Sequence, residues 1–168
     1  MSIGYSFRAF TRSDLPMILQ WLQTPEVRRW WGDPETEYAL LLEDLDEPGM
    51  RQWIVEWNGH PFAYIQVYEP GRWPQSHLMN LPTDSLAIDT FIGEPEMLGI
   101  GNGGRYLRVF AQMLIDEGAS TVAIDPAADN HRARRAYARA GFAGDEVVDS
   151  NSGPVVVMQF RLVSGSDH

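Results

Sequence analysis

Along the chain, apolar residues switch between a period of two and a period near 3.6, and the switches outline the elements. Phe7–Phe10 predicts a short strand. Leu15, Ile18, Leu19 and Leu22 recur at helical spacing behind Ser13 and Asp14, which predicts a capped helix over Leu15–Leu22. Glu26–Trp31 predicts a second short helix ending at Gly32. Pro34 suits the first turn of a third, which runs to about Asp46 and breaks at Pro48-Gly49. Gln52–Trp57 alternates, with Trp53, Val55 and Trp57 on one face, and Phe62–Tyr68 returns across the hairpin signal Asn58-Gly59. Pro70–Pro82 is a proline-containing loop long enough to suggest a function. Ser85–Ile92 reads as a central strand. Gly99–Gly104 leads into a helix through Glu117, with Leu107, Phe110, Met113 and Leu114 on one face. Thr121–Asp125 predicts a strand and Asp129–Ala140 a helix closed by Gly141. Phe142–Val148 and Val155–Leu162 are expected to pair as a hairpin across Ser150–Gly153.

The order β, α, α(α), ββ, β, α, β, α, ββ predicts an α/β (α+β) fold, a mixed central sheet with helices on both sides. It lacks the strict βα alternation of a dinucleotide-binding domain, so the glycine turn is not read as such a site. A chain of 168 residues predicts one domain, here 1–163, with a short polar tail, Ser164–His168, expected to fray. The first residues hold no leader-like apolar run, and no stretch reaches the ~18 apolar residues of a membrane span. The expectation is a cytoplasmic chain without membrane contact.

Composition narrows the chemistry. The net charge is −10, which disfavours nucleic acid and favours a cationic small molecule. There is no cysteine, and all 13 basic residues are arginine. Disulfides, a thiolate nucleophile, a Schiff-base lysine and a P-loop lysine are thereby excluded. The histidines His60, His77, His131 and His168 show no metal-ligand spacing, so no metal is predicted.

Two motifs carry candidate chemistry. Leu98-Gly99-Ile100-Gly101-Asn102-Gly103-Gly104 lies between a strand and a helix, where glycines admit a close ligand and the helix start offers N–H groups to a pyrophosphate. The plainer alternative is a tight turn. In the second motif, Asp125 to Phe142, residues Asn130, Ala133 or Arg134, and Tyr137 share one helix face, while Arg132, Arg135 and Arg139 lie close together on its surface. The plainer alternative is an amphipathic helix with a solvated arginine face.

Together the two motifs resemble the GCN5-related N-acetyltransferase superfamily. The resemblance implies a central sheet splayed between two parallel strands, with acetyl-CoA in the notch. It implies cofactor contacts from the backbone of Thr90, Phe91 and Ile92, from Leu98 to Gly104, and from Asn130, Ala133, Arg134 and Tyr137. Leu98 and Ile100 stand where that family commonly has polar or basic residues, so the implied cradle is built of backbone N–H groups. Trp30-Trp31-Gly32, Ala63–Tyr68, Ile88-Asp89-Thr90, Leu98–Gly103 and Asp125-Pro126 look like the aminoglycoside 6′-N-acetyltransferases. Siderophore hydroxamate acyltransferases share the Trp-Trp-Gly element and the glycine turn. In that branch a histidine is expected near the end of the central strand, and His77, upstream in the loop, is the nearest substitute.

This resemblance implies transfer of acetyl to a primary amine of a cationic small molecule, with the 6′-amine of aminoglycosides leading. A siderophore or polyamine-like acyltransferase and a non-catalytic binder of CoA or drug remain alternatives. Without cysteine, direct transfer in a ternary complex is expected. Asp89 is the candidate base and Tyr137 the candidate acid, its phenol taken to have the ordinary pKa near ~10. Trp30, Tyr68, Asp84, Asp89 and Asp125 are the candidate acceptor contacts, the aromatics by stacking or cation–π interaction and the carboxylates by charge. One of Trp30 and Trp31 is expected to pack in the core instead. The chain is read as a monomer or homodimer.

Charge is also unevenly spread. Residues 1–99 hold 6 arginines and 15 acids, net −9, while residues 100–142 hold 6 arginines and 4 acids, net +2. The net-positive stretch carries both proposed phosphate motifs.

Overall fold

Proline stands in the first turn of α1 (Leu15–Leu22), α2 (Pro25–Trp31) and α3 (Pro34–Leu45), where its missing N–H costs nothing. The computed structural model describes residues 4–161. The chain divides into two units, of which the described parts are 4–67 with 90–98 and 68–89 with 99–161. The expected tail, Ser164–His168, and the end of the last predicted strand at Leu162 lie outside the described residues.

In the first unit, β1 (Tyr5–Ala9) pairs antiparallel with β2 (Met50–Trp57), and β3 (His60–Tyr68) follows on the other side of β2. The β2–β3 turn uses Asn58 and Gly59, both at positive φ (49° and 87°), as a two-residue turn between twisted strands requires. Residues 90–92, the end of β4 (Leu86–Ile92), lie beside β3. The buried cluster of this unit gathers Phe10, Ile18, Trp21, Leu22, Val27, Leu41, Ile54, Tyr64 and Phe91. Trp21 spends its ring on that cluster and its Nε1–H on Glu94, at 2.8 Å.

In the second unit, residues 86–89 of β4 lie beside β5 (Val122–Ile124), which pairs with β9 (Met158–Phe160), which pairs with β6 (Phe142–Ala143). The β4–β5 pair is parallel and the β5–β9 and β9–β6 pairs are antiparallel. Two helices complete the unit, α4 (Asn102–Asp116) and α5 (His131–Ala140). α4 buries Tyr106, Leu107, Phe110, Ala111 and Leu114, one stripe of an amphipathic helix. The protein is thus an α/β fold with a mixed sheet and flanking helices.

Some boundaries differ from the expectation. Asp14 does stand before α1, but its carboxylate does not cap that helix. It accepts from Arg8 at 2.8 Å and from the Thr11 N–H at 2.9 Å, holding a preceding 3-10 turn over Arg12–Asp14. The last hairpin pairs across Ser150–Gly153 as expected, but in two stretches. β7 (Val147–Ser150) pairs with β8 (Gly153–Val156) as a separate ribbon, while β6 and β9 join the main sheet. The Val156 N–H donates to Pro126 and the Ala128 N–H to Pro154, each at 3.0 Å, which draws β8 onto the loop after β5.

Candidate active site

The register of the parallel pair places the two candidate carboxylates. Leu86, Ala87 and Ile88 face Val122, Ala123 and Ile124, and there the pairing stops. Asp89 and Asp125 are the next residues on their strands, so both stand where β4 and β5 cease to be paired. Each is half-buried. Both act on the same two phenols. The Tyr68 hydroxyl is pushed well above the usual tyrosine value, first by burial and then by the negative charge of Asp89 and Asp125. The Tyr137 hydroxyl is pushed up likewise, by burial first, then by Tyr106, Asp89 and Asp125. Two acids and two protonated phenols therefore share one corner of the second unit.

Burial pushes the Asp125 carboxyl up to about 6. Its Oδ2 lies 2.8 Å from Nε2 of His77, whose side chain is only 2% exposed. Burial pushes this imidazole down, against the opposing pull of Asp89. His77 sits on a 3-10 turn, Ser76–Leu78, inside the loop that the sequence singled out, and β7 packs against that turn. The β8 hydrogen bonds described above hold the Asp125–Ala128 segment from its other side.

The glycine turn forms the second part of the site. Gly101, the residue before α4, has φ 91°, and the N–H groups of Gly103 and Gly104 at the helix start have no acceptor within the helix. A Cβ on Gly101 would lie 3.1 Å from the guanidinium of Arg105. Arg105 is one turn into α4, and its side chain leans back toward the helix start, as helical side chains do. A Cβ on Gly104 would lie 2.9 Å from the carbonyl oxygen of Ala136, so this glycine permits the close approach of α4 to α5. Backbone N–H groups, a helix N-terminus and one guanidinium fit a pyrophosphate.

The remaining expected residues divide by unit. In the second unit, Asn130 caps α5, its side chain accepting from the Ala133 N–H at 3.2 Å. Arg134 donates to the Ala128 carbonyl at 2.7 Å, which ties the helix to the Asp125 loop. Gly99 and exposed Ile100 precede Gly101 in the turn. In the first unit, Thr90 donates through Oγ1 to the Tyr64 carbonyl at 2.7 Å. Phe91 stacks on Tyr64 and meets Trp31 edge-on, while Ile92 is half-buried. Leu98 follows the 3-10 turn Pro95–Met97. Trp31 packs against the core cluster, and Trp30 lies under the Arg29 guanidinium at 4.7 Å.

Four expectations change. Asp84 does not join Asp89 and Asp125. It precedes β4 at positive φ (68°), with its carbonyl accepting from Ser120 before β5. It lies before Leu86, at the opposite end of the parallel pair from Asp89. Tyr68 offers no face for stacking: its ring is buried at 5% exposure and edge-on to Trp73, and its hydroxyl accepts from Gln75 at 3.2 Å. Tyr137 lacks the ordinary acidity assumed for it, because its hydroxyl is desolvated. The glycine turn has a side-chain cation after all, Arg105. Arg105, Gln75 and Trp73 are not among the expected residues, and His77 is among them only as the substitute histidine of the siderophore branch. The i, i+4 spacing from Gly101 was the one available signal for Arg105.

A family model described as an acetyltransferase (GNAT) domain matches residues 11–150. The aminoglycoside N(6')-acetyltransferase type 1 of Klebsiella pneumoniae is 29% identical over 91% of this chain and 81% of its own length. The solved structure of AAC(6')-Ib with paromomycin and acetyl-CoA is 26% identical, with a TM-score of 0.80 over 97% of this chain and 96% of that one. The same aminoglycoside acetyltransferase solved with coenzyme A and kanamycin gives 25% identity and a TM-score of 0.79 over 98% of each chain.

Proposed function

The chain belongs to the acetyltransferase (GNAT) family, whose co-substrate is acetyl-CoA, and we propose that it acetylates the 6′-amine of aminoglycosides by direct transfer. The observation that carries this reading is the pair of carboxylates, Asp89 and Asp125, standing together where the β4–β5 pairing ends. A polycationic acceptor is attracted to paired carboxylates, and an amine nucleophile needs a nearby group to take its proton. The relatives' named substrates support the same choice.

Bound acetyl-CoA supplies the acetyl thioester. Gly103, Gly104 and Arg105 hold its pyrophosphate. Asp89, at the end of the β4–β5 pairing, takes the proton of the attacking amine, and Asp125 holds a neighbouring ammonium of the acceptor. Tyr137 stays protonated at neutral pH because burial raises its pKa. It therefore acts as a hydrogen-bond donor to the leaving sulfur, strongest as charge grows there, rather than as a freely titrating acid. The chain has no cysteine to carry an acyl intermediate, which supports direct transfer.

A second reading, transfer to a hydroxylated amine of the siderophore type, is favoured by one observation: His77 reaches the cluster. Its Nε2 is engaged by Asp125, however, which leaves Asp89 as the better placed base. Thiol release from acetyl-CoA, screened with kanamycin-type aminoglycosides, N-hydroxylated lysine and ornithine, and polyamines, decides between the readings. The first predicts release with aminoglycosides bearing a 6′-amine. Release with the hydroxylated amino acids alone supports the second and overturns the first.

A further inference from the structure

The loop between β3 and β4 brings to the cluster a residue that the transfer itself leaves unused. The His77 imidazole is enclosed on its 3-10 turn, with Nε2 2.8 Å from Asp125 Oδ2. We propose that His77 is a positioning residue for acceptor capture: its Nε2–H donates to Asp125 and keeps that carboxylate aimed and ionised for an ammonium group. The inference rests on the aminoglycoside reading above.

The surroundings of Asp125 supply no compensating cation. Asp89 stands beside it at the end of the β4–β5 pairing, and Tyr68 at the end of β3 and Tyr137 on α5 feel its charge; none of these supplies a positive charge. Asp149, on the β7 strand that packs against the His77 turn, is acidic and exposed. A hydrogen bond to the ionised form favours that form, and a proton on Nε2 of His77, 2.8 Å from Oδ2, gives such a bond. The kind of donor also matters. An arginine there would cancel the charge, as Arg8 does for Asp14 in the first unit. A neutral imidazole orients the carboxylate and leaves its charge for the substrate. Burial favours the neutral imidazole.

The test compares wild type with His77→Ala and His77→Gln, with kanamycin as acceptor at saturating acetyl-CoA. His77→Ala is expected to raise the kanamycin KM about tenfold, the worth of a hydrogen bond to a charged group, with little change in kcat or in acetyl-CoA KM. His77→Gln, which restores a neutral N–H donor, is expected to recover most of the loss. The acid-side rise of kanamycin KM should move to higher pH in the alanine variant. Imidazole ¹⁵N shifts of the wild type at neutral pH should place the proton on Nε2 of a neutral ring. An unchanged KM in folded His77→Ala, a glutamine variant no better than alanine, or a bare Nε2 overturns the proposal. The tautomer is read without turnover. If wild type acetylates no aminoglycoside, the functional reading falls, and a bare or protonated Nε2 still decides whether His77 holds Asp125.

Discussion

Asp14 in the first unit and Asp125 in the second are both drawn out of water, yet the fold treats them oppositely. Asp14 receives two hydrogen bonds from Arg8 and one from the Thr11 N–H, and Arg8 is shared with Glu56 at 2.9 Å. The Arg8 bond leads in holding its carboxyl below the ordinary value. Asp125 meets an imidazole instead of a guanidinium and has Asp89 for a neighbour, and burial pushes it up to about 6. The same side chain is a structural knot where its charge is cancelled and a candidate site where its charge is left over.

The sharpest way to break this comparison is Asp89→Asn. If Asp89 takes the amine proton, turnover should fall by about 10²-fold or more with the melting temperature unchanged, as checked by thiol release and calorimetry. Next in size is Asp125→Asn, read in two ways. The kanamycin KM should rise about tenfold as a charged partner is lost. Stability should rise, because the folded-state pKa is raised from 3.8 to about 6 and the folded protein therefore prefers the protonated acid. Its contribution falls as pH climbs through that window and stays lower above it. Removing the charge should thus add about 1–2 kcal/mol at pH 8, seen as a higher denaturation midpoint, and nothing below pH 4.

Asp14→Asn should do the reverse. Its pKa is depressed, so its contribution is present above the unfolded value and lost as pH falls through the folded one. The variant should lose about 1 kcal/mol at neutral pH, discounted because Arg8 is partly exposed, with kinetics unchanged. The smallest effect is expected for Arg105→Gln, an acetyl-CoA KM raised about threefold with acceptor KM unchanged, as for one charge at an exposed phosphate contact.

The elements of the fold were legible because local chemistry agrees with tertiary packing along most of the chain. Leu15–Leu22 is the helix its spacing predicts, and Asn58-Gly59 turns the hairpin with both residues at positive φ. The last hairpin was legible in its turn at Ser150–Gly153 and in its antiparallel pairing, but its interruption at residues 144–146 and 157 was not, because no local pattern announces it. In the site, the strand position of Asp89 was readable, and register then placed Asp125 beside it at the end of the pairing. Asp84 precedes the central strand and so stands at its start, but sequence proximity does not say which end of the strand faces the site. His77 and Arg105 were hidden for a shared reason: each acts through a long-range or cross-turn side-chain direction that spacing alone leaves open.

The most direct measurement compares aminoglycosides that differ only in carrying an amine or a hydroxyl on the 6′ carbon, with thiol release from acetyl-CoA as the signal. The account predicts release with the amine and none with the hydroxyl. Equal release from both, or none from either, would contradict it.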